Sequence, residues 1–366
     1  MEFNLNKLKP QEQVSLKLRL LYEDFGYQKY RMGRFEEYGL YQENRRFLSS
    51  EQVLTFTDLD GRLLALKPDV TLSIAKNAKP EAGTVQKYYY SENVYRPSQE
   101  SHTFREISQM GVECIGAVSQ EDMAQVVGLA IESLATTQVP FALELSHMGF
   151  VTGLLDAVGA PANLRPALLQ SIRNKSIHQL EQVASDAGLS RQGLEALGKL
   201  IGLSGDWQTV LSAAAPLALN APMGDALDEL TALMTALGEQ AGVVKIDLSL
   251  VNDMEYYNGL VMQGYLDGLP RAVLRGGRYD PLVEQFRAGN RAIGFALYLD
   301  EMSRLELADA PQKDAPVMLN VALPKGRLGT RCITSLPLWA MAVKRITTTA
   351  ASWWWKMSPL ASVISW

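Results

Sequence analysis

Residues 160–242 separate two stretches of different pattern, and that interruption restricts the possible folds more than any other feature of the chain. Within it Ala and Leu dominate, and Leu227, Leu230, Met234 and Leu237 recur at the three- and four-residue spacing of one helix face. Before it, short β-rich runs alternate with turn signals. The run from Phe56 to Gly61 predicts a hairpin turn in which Asp60-Gly61 supplies a positive φ. Residues 87–95, KYYYSENVY, predict a strand packed on one face. After the interruption Val244, Ile246, Leu248 and Leu250 alternate with Lys245, Asp247 and Ser249, and residues 259–266 and 272–274 follow across a turn at 267–270. Strands at both ends with helices between them predict an α+β domain with an antiparallel sheet and an all-helical insertion.

Charge and cysteine usage remove several function classes. The chain of 366 residues carries 40 Asp+Glu against 35 Lys+Arg, a net charge of −5, so nothing draws the whole molecule to a phosphate backbone. Cys114 and Cys332 are too few for a disulfide framework, and no C-x-x-C or Cys/His cluster offers metal ligands. The start of the chain has no apolar core of a signal peptide, and no run approaches the ~18 apolar residues of a membrane span. Neither G-x-x-x-x-G-K nor G-x-G-x-x-G is present.

Four segments are denser in specific polar groups than packing requires. In Lys67-Pro68-Asp69-Val70-Thr71 a carboxylate and a hydroxyl follow a strand, and Asp69 is equally well read as the cap of a helix starting near Thr71. In the segment from Phe104 to Glu113, Arg105, Ser108 and Gln109 lie on a strand whose period of two turns Gln109, Gly111 and Glu113 to one face, with Gly111 leaving room for a ligand. Adjacent tyrosines, Tyr256 and Tyr257, stand at a strand entrance, where tyrosines also serve as half-buried packing residues. In Arg275-Gly276-Gly277-Arg278-Tyr279-Asp280 two glycines permit close backbone approach, although a structural turn accounts for them nearly as well.

Together the four segments resemble the class II aminoacyl-tRNA synthetase core, and within it the histidyl-tRNA synthetase pattern, over roughly residues 1–305. Residues 67–71 stand where that family has R-P-E-G-T. Residues 105–113 stand at R-x-F-x-Q-x-G-x-E, 255–259 at D-Y-Y-x-G, and 276–280 with 292–296 at the approach to motif 3. The resemblance implies a mostly antiparallel mixed sheet flanked by helices, with 160–242 as a helical insertion. It also implies a pocket for histidine: Asp69, Thr71 and Gln109 match the residues that hold the ammonium, and Glu113 and Tyr257 those that meet the imidazole nitrogens. Arg105, Tyr256, Arg278 and Tyr279 are candidates for the rest of the wall.

Departures from the family are equally specific. Asn252 stands where the family has an arginine, and Tyr298-Leu299-Asp300-Glu301 stands where motif 3 reads G-L-E-R. A tyrosine then occupies nucleotide space and a carboxylate replaces a cation, which at an effective dielectric of ~20 costs on the order of 4 kcal/mol against a phosphate ~4 Å away. Asn252 in place of arginine gives up a charge-assisted bond of ~1.5–3 kcal/mol to the amino acid's carboxylate. Motif 1 lacks its proline, the loop 96–104 is about one residue short, and the ~60 residues after Arg304 are too few for an anticodon-binding domain.

A synthetase core altered in this way resembles the regulatory subunits of ATP phosphoribosyltransferase. The resemblance implies a non-catalytic cytoplasmic protein with no cofactor, no metal, no tRNA and no membrane partner. Its partners would be itself, as a dimer, the short-form catalytic subunit in a hetero-octamer, and L-histidine as feedback effector in histidine biosynthesis. A divergent histidine-activating enzyme and a stand-alone histidine sensor are the other readings. Residues 306–317 read as a linker, and 318–329, MLNVALPKGRLG, resemble the start of the catalytic subunit. From Thr330 onward there is no Asp or Glu, and five of the six tryptophans occur, so 330–366 is expected to be disordered or the product of a shifted reading frame.

Overall fold

The computed structural model describes residues 10–48, 53–98, 103–251, 256–302 and 304, together with the backbone of three strands between 319 and 359. The elements run α1 (Pro10–Asp24), β1 (Gln28–Lys29), β2 (Phe35–Glu37), α2 (Tyr38–Glu43), β3 (Thr55–Thr57), β4 (Leu63–Leu66), α3 (Thr71–Asn77), β5 (Val85–Pro97), β6 (Phe104–Gly116), α4 (Gln120–Ala135) and β7 (Phe141–His147). There follow α5 (Met148–Ala157), α6 (Arg165–Arg173), α7 (Ile177–Asp186), α8 (Arg191–Ile201), β8 (Ser204–Asp206), α9 (Trp207–Ala214), α10 (Ala221–Leu237), β9 (Val244–Asp247), β10 (Leu260–Leu266), β11 (Leu274–Arg278), α11 (Asp280–Glu284) and β12 (Arg291–Tyr298).

Nine strands form one sheet in the order β1-β5-β6-β12-β11-β10-β7-β9-β8, antiparallel except at β1/β5 and β7/β9. A small antiparallel sheet, β2-β4-β3, lies apart from it. Gly61 makes its hairpin turn at φ +79°, as Asp60-Gly61 predicts. The alternation along β6 is clean. Met110, Val112 and Cys114 enter the large core with the helices, while Gln109, Gly111 and Glu113 face the other way.

Several expectations need correction. The strand at 87–95 is packed on both faces, since Tyr89 joins the helix-side core while Tyr90 and Val94 join a second cluster with Tyr41, Ile74 and Leu282. The helical stretch is not all helix, because β8 pairs with β9 at the sheet edge. Its apolar residues, including Leu230 and Met234 on α10, belong to the same core as the sheet. Asp247 and Ser249, which alternate with the apolar residues of 244–250, are buried too: Asp247 accepts from Lys175 Nζ at 2.6 Å and from Ser249, so the long reach of a lysine satisfies a buried carboxylate.

The chain divides after Leu307. In the C-terminal unit three strands, β13 (Leu319–Ala322), β14 (Met341–Arg345) and β15 (Trp354–Pro359), pair antiparallel in the order β13-β15-β14. Strand pairing at 341–345 and 354–359 falls within the stretch expected to be disordered or the product of a shifted reading frame, and two strand-favouring tryptophans stand at the start of β15. The linker 306–317, the segment after Ala322 and the remainder of the tail lie outside the described residues. Among the described residues no helix is long and apolar enough to cross a membrane.

Candidate functional site

β6, the third strand from one edge of the nine-stranded sheet, supplies the floor of a cavity of ≈ 280 Å³. All five residues matched to histidine recognition line it: Asp69, Thr71, Gln109, Glu113 and Tyr257. Gln109 and Glu113 are each only 2 % exposed. Glu113 Oε1 accepts from Thr71 Oγ1 at 2.6 Å, and its Oε2 accepts from the Tyr279 hydroxyl. Burial pushes the Glu113 carboxyl up to about 8; the two hydroxyl donors oppose that and the Asp69 charge adds to it. Burial thus favours the protonated form of Glu113, which can donate as well as accept. The Gln109 Nε2 is buried with no partner among the described residues, an unusual state for an amide donor and one that a ligand acceptor would relieve.

The walls come from three places. Asp69, in the turn between β4 and α3, accepts from Leu72 N at 2.7 Å through Oδ1, so it does cap α3, and its Oδ2 meets Arg96 at 3.2 Å. The capping and site readings are therefore both satisfied by one residue. Tyr256 and Tyr257 pack with ring centroids 4.6 Å apart and planes tilted by 57°, and Tyr256 also meets Tyr279 at 5.9 Å and Phe47 at 6.1 Å, closing the cavity with aromatic surface. Tyr279 is held by its neighbour. Asp280 is buried, receives Ala292 N, Asn258 Nδ2 and Arg278 Nε, and so fixes the backbone that aims Tyr279 at Glu113.

Two of the wider candidates lie elsewhere. Arg278 points away from the cavity, ion-paired to Asp280 at 2.7 Å and to Glu229 on α10 at 3.3 Å, because the strand's period of two places 278 and its neighbours on opposite faces. Arg105 lines a separate, adjoining cavity of ≈ 430 Å³. Tyr256 and Tyr279, by contrast, are in the wall. The space at Gly111 is not left for a ligand: a Cβ there would stand 2.3 Å from Phe295 O and 2.6 Å from the Tyr90 hydroxyl. A Cβ on Gly277 would likewise meet the Tyr257 ring at 2.7 Å, so that glycine admits the tyrosine.

The structure also adds cations that sequence reasoning left out. Arg96 and Arg275 line the first cavity, and the adjoining one holds Arg96, Arg105, Arg271, Arg275 and Arg304, with Tyr298 on the boundary of both. Glu301, expected to repel phosphate, is instead held by Arg304 at 3.0 Å and Arg271 at 3.8 Å. Its charge is largely compensated, which weakens the electrostatic case against an anion there. Asn252 and residues 99–102 of the shortened loop lie outside the described residues. Among the described residues no group of His, Cys, Asp or Glu side chains is placed to hold a metal ion. Burial raises the free Cys114 thiol to about 12, making it an inert core residue.

The chain has relatives among known proteins. The sequence pattern of the family described as histidyl-tRNA synthetase matches residues 2–302. An ATP phosphoribosyltransferase regulatory subunit from Symbiobacterium thermophilum is 31% identical over 76% of this chain and 71% of its own. One from Oceanobacillus iheyensis is 28% identical over 77% of this chain and 70% of its own. A crystal structure described as an ATP phosphoribosyltransferase regulatory subunit/histidyl-tRNA synthetase from Bacillus halodurans superposes with a TM-score of 0.71 at 27% identity, covering 81% of this chain and 78% of that one. With the sheet, the buried carboxyl and its tyrosines already in place, these matches show that the chain belongs to the histidyl-tRNA synthetase family, among relatives named as ATP phosphoribosyltransferase regulatory subunits.

Proposed function

We propose that the chain is a non-catalytic regulatory subunit of ATP phosphoribosyltransferase and that the cavity on β6 is its L-histidine effector site. The observation that carries this is the pairing, on one strand face, of the unpartnered Gln109 amide with the buried Glu113 carboxyl. An imidazole needs a partner on each nitrogen, and a protonated Glu113 meeting neutral imidazole holds the same number of protons as a carboxylate meeting imidazolium. The tyrosine hydroxyls and Thr71 complete a polar end, while Asp69 offers an anion to the ammonium. Histidine bound here acts on an attached short-form catalytic subunit only if it binds two arrangements of the assembly unequally, with 1–3 kcal/mol typical of such coupling. The same reading carries self-association as a dimer, assembly with catalytic subunits into a hetero-octamer, and feedback inhibition of the first step of histidine biosynthesis. Mixing the purified chain with a short-form catalytic subunit and measuring phosphoribosyl-ATP formation tests it. Activity should require the chain and fall on adding histidine, and Glu113→Ala should abolish that fall; a histidine response untouched by Glu113→Ala overturns the site.

One observation favours a second reading. The adjoining cavity with its five arginines could receive an anionic co-substrate, as a divergent histidine-activating enzyme requires. Histidine-dependent ATP–pyrophosphate exchange by the isolated chain would establish that activity, and its absence would leave the regulatory reading standing.

A further inference from the structure

An amino-acid pocket needs a cation for the α-carboxylate, and the residue that the family resemblance assigns to that task is Asn252 here. Arg96 is already committed: its Nε donates to Pro68 O at 2.6 Å and its guanidinium is paired with Asp69 at 3.2 Å. Arg275 is not. Among the described residues it forms no ion pair, yet it lines the cavity.

Sheet register shows how it comes to be there. Arg275 on β11 is opposite Ala296 on β12, and Ala296 is opposite Gly111 on β6. Directly opposed residues in antiparallel strands share a face, so Arg275 stands on the face of Gln109 and Glu113. It is two strands across and two residues along from Glu113, about 12 Å between backbones by ordinary strand spacings. Only the small residues Ala296 and Gly294 occupy the intervening positions of β12 on that face, so β12 itself puts no bulky side chain between the two.

We propose that Arg275 is the carboxylate anchor of this pocket, a specificity-determining residue that supplies from β11 the positive charge missing at Asn252. The inference rests on the amino-acid reading of the cavity given above. Bound histidine then lies with its imidazole at Glu113 and its carboxylate on the Arg275 guanidinium, whose planar donors suit a carboxylate in two-point contact. Asp69, which lines the cavity from the turn between β4 and α3, meets the ammonium while keeping its pair with Arg96.

The test is calorimetry on the full chain with L-histidine and with L-histidinol, which keeps the imidazole and ammonium but has no carboxylate. Arg275→Met should weaken L-histidine on the order of ten- to a hundredfold, as loss of a charge-assisted bond predicts, and leave histidinol unchanged. Arg275→Lys should recover part of the loss. Arg275 is exposed, so the unfolding midpoint of both variants should stay at that of the unaltered chain. L-histidine binding by Arg275→Met at unaltered strength, or equal loss of both ligands, overturns the anchor alone. Failure of the unaltered chain to bind either ligand overturns the pocket reading, and the anchor falls with it.

Discussion

Glu113 and Gly294 stand opposite each other on β6 and β12, and the carboxylate of the first fills the space a side chain on the second would need: a Cβ on Gly294 would lie 1.9 Å from Glu113 Oε2 and 2.4 Å from Val112 O. The carboxyl could rotate away, but the carbonyl belongs to the paired strand and cannot. Gly294→Ala is therefore expected to destabilise the chain by on the order of 1–3 kcal/mol and to remove histidine binding. Denaturant unfolding and calorimetry of the same preparation measure both. A variant of unaltered stability that still binds histidine would mean that β12 moves freely, against the packing described above.

Glu113 also sets a pH dependence whose sign is fixed by its environment. Its folded-state value is raised from 4.5 to about 8, chiefly by burial, so between those values the folded chain holds a proton that the unfolded chain releases. Stability then falls as pH rises from about 4.5 to about 8, and this contribution flattens above. Glu113→Gln keeps the shape without the titration. Its unfolding free energy should lose this decline, and comparison of the two chains by denaturant titration at pH 5, 6.5 and 8 isolates the contribution. Parallel pH profiles for the two chains would show that Glu113 ionises normally in the fold.

Much of the cavity was legible because it lies on one strand. The period of two along β6 suffices to put Gln109 and Glu113 together, and the turn after β4 carries Asp69 and Thr71 on a recognisable motif. What escaped comes from pairings that no local pattern encodes. Arg275 reaches the cavity only because β11, β12 and β6 are neighbours in a particular register. Arg278 is drawn away from the cavity for the converse reason, since its partner Glu229 lies on α10, 49 residues away. Nor does the alternation at 244–250 encode the burial of Asp247, whose partner Lys175 lies 72 residues away. Adjacency in sequence served well within an element and poorly between elements.

Asp69 has two tasks, and substitutions can separate them. Through Oδ1 it caps α3 at Leu72 N, and through its charge it faces Arg96 and the cavity. Asp69→Asn keeps an acceptor for the cap and removes the charge, so it should leave stability within ~1 kcal/mol while weakening histidine. Asp69→Ala removes both, adding a capping loss of ~0.5–2 kcal/mol. Thermal unfolding and calorimetry on the pair of variants distinguish the tasks. If only Asp69→Ala lost stability and neither variant lost affinity, Asp69 would be a cap and nothing more.

Lys67 and Glu92 test whether the site depends on a support that never touches it. Their side chains are 4% and 16% exposed and form an ion pair between the end of β4 and β5, and Glu92 also accepts from Met32 N at 3.4 Å. Lys67 immediately precedes the Pro68-Asp69 turn, and its carbonyl receives Tyr95 N at 2.9 Å. Removing one partner leaves a buried charge without compensation, so Glu92→Ala should cost ~3–5 kcal/mol. The double variant Lys67→Met with Glu92→Leu removes both charges and should be much less harmful, because apolar replacements of similar size often match a buried pair. The consequence for function follows from position. With the pair broken, Lys67 withdraws toward solvent and takes the Pro68-Asp69 turn with it, so Glu92→Ala should also weaken histidine binding, and the double variant should restore much of it. Retained affinity in a Glu92→Ala chain that is clearly destabilised would show that α3 and the Asp69 cap hold the turn in place without help from β5.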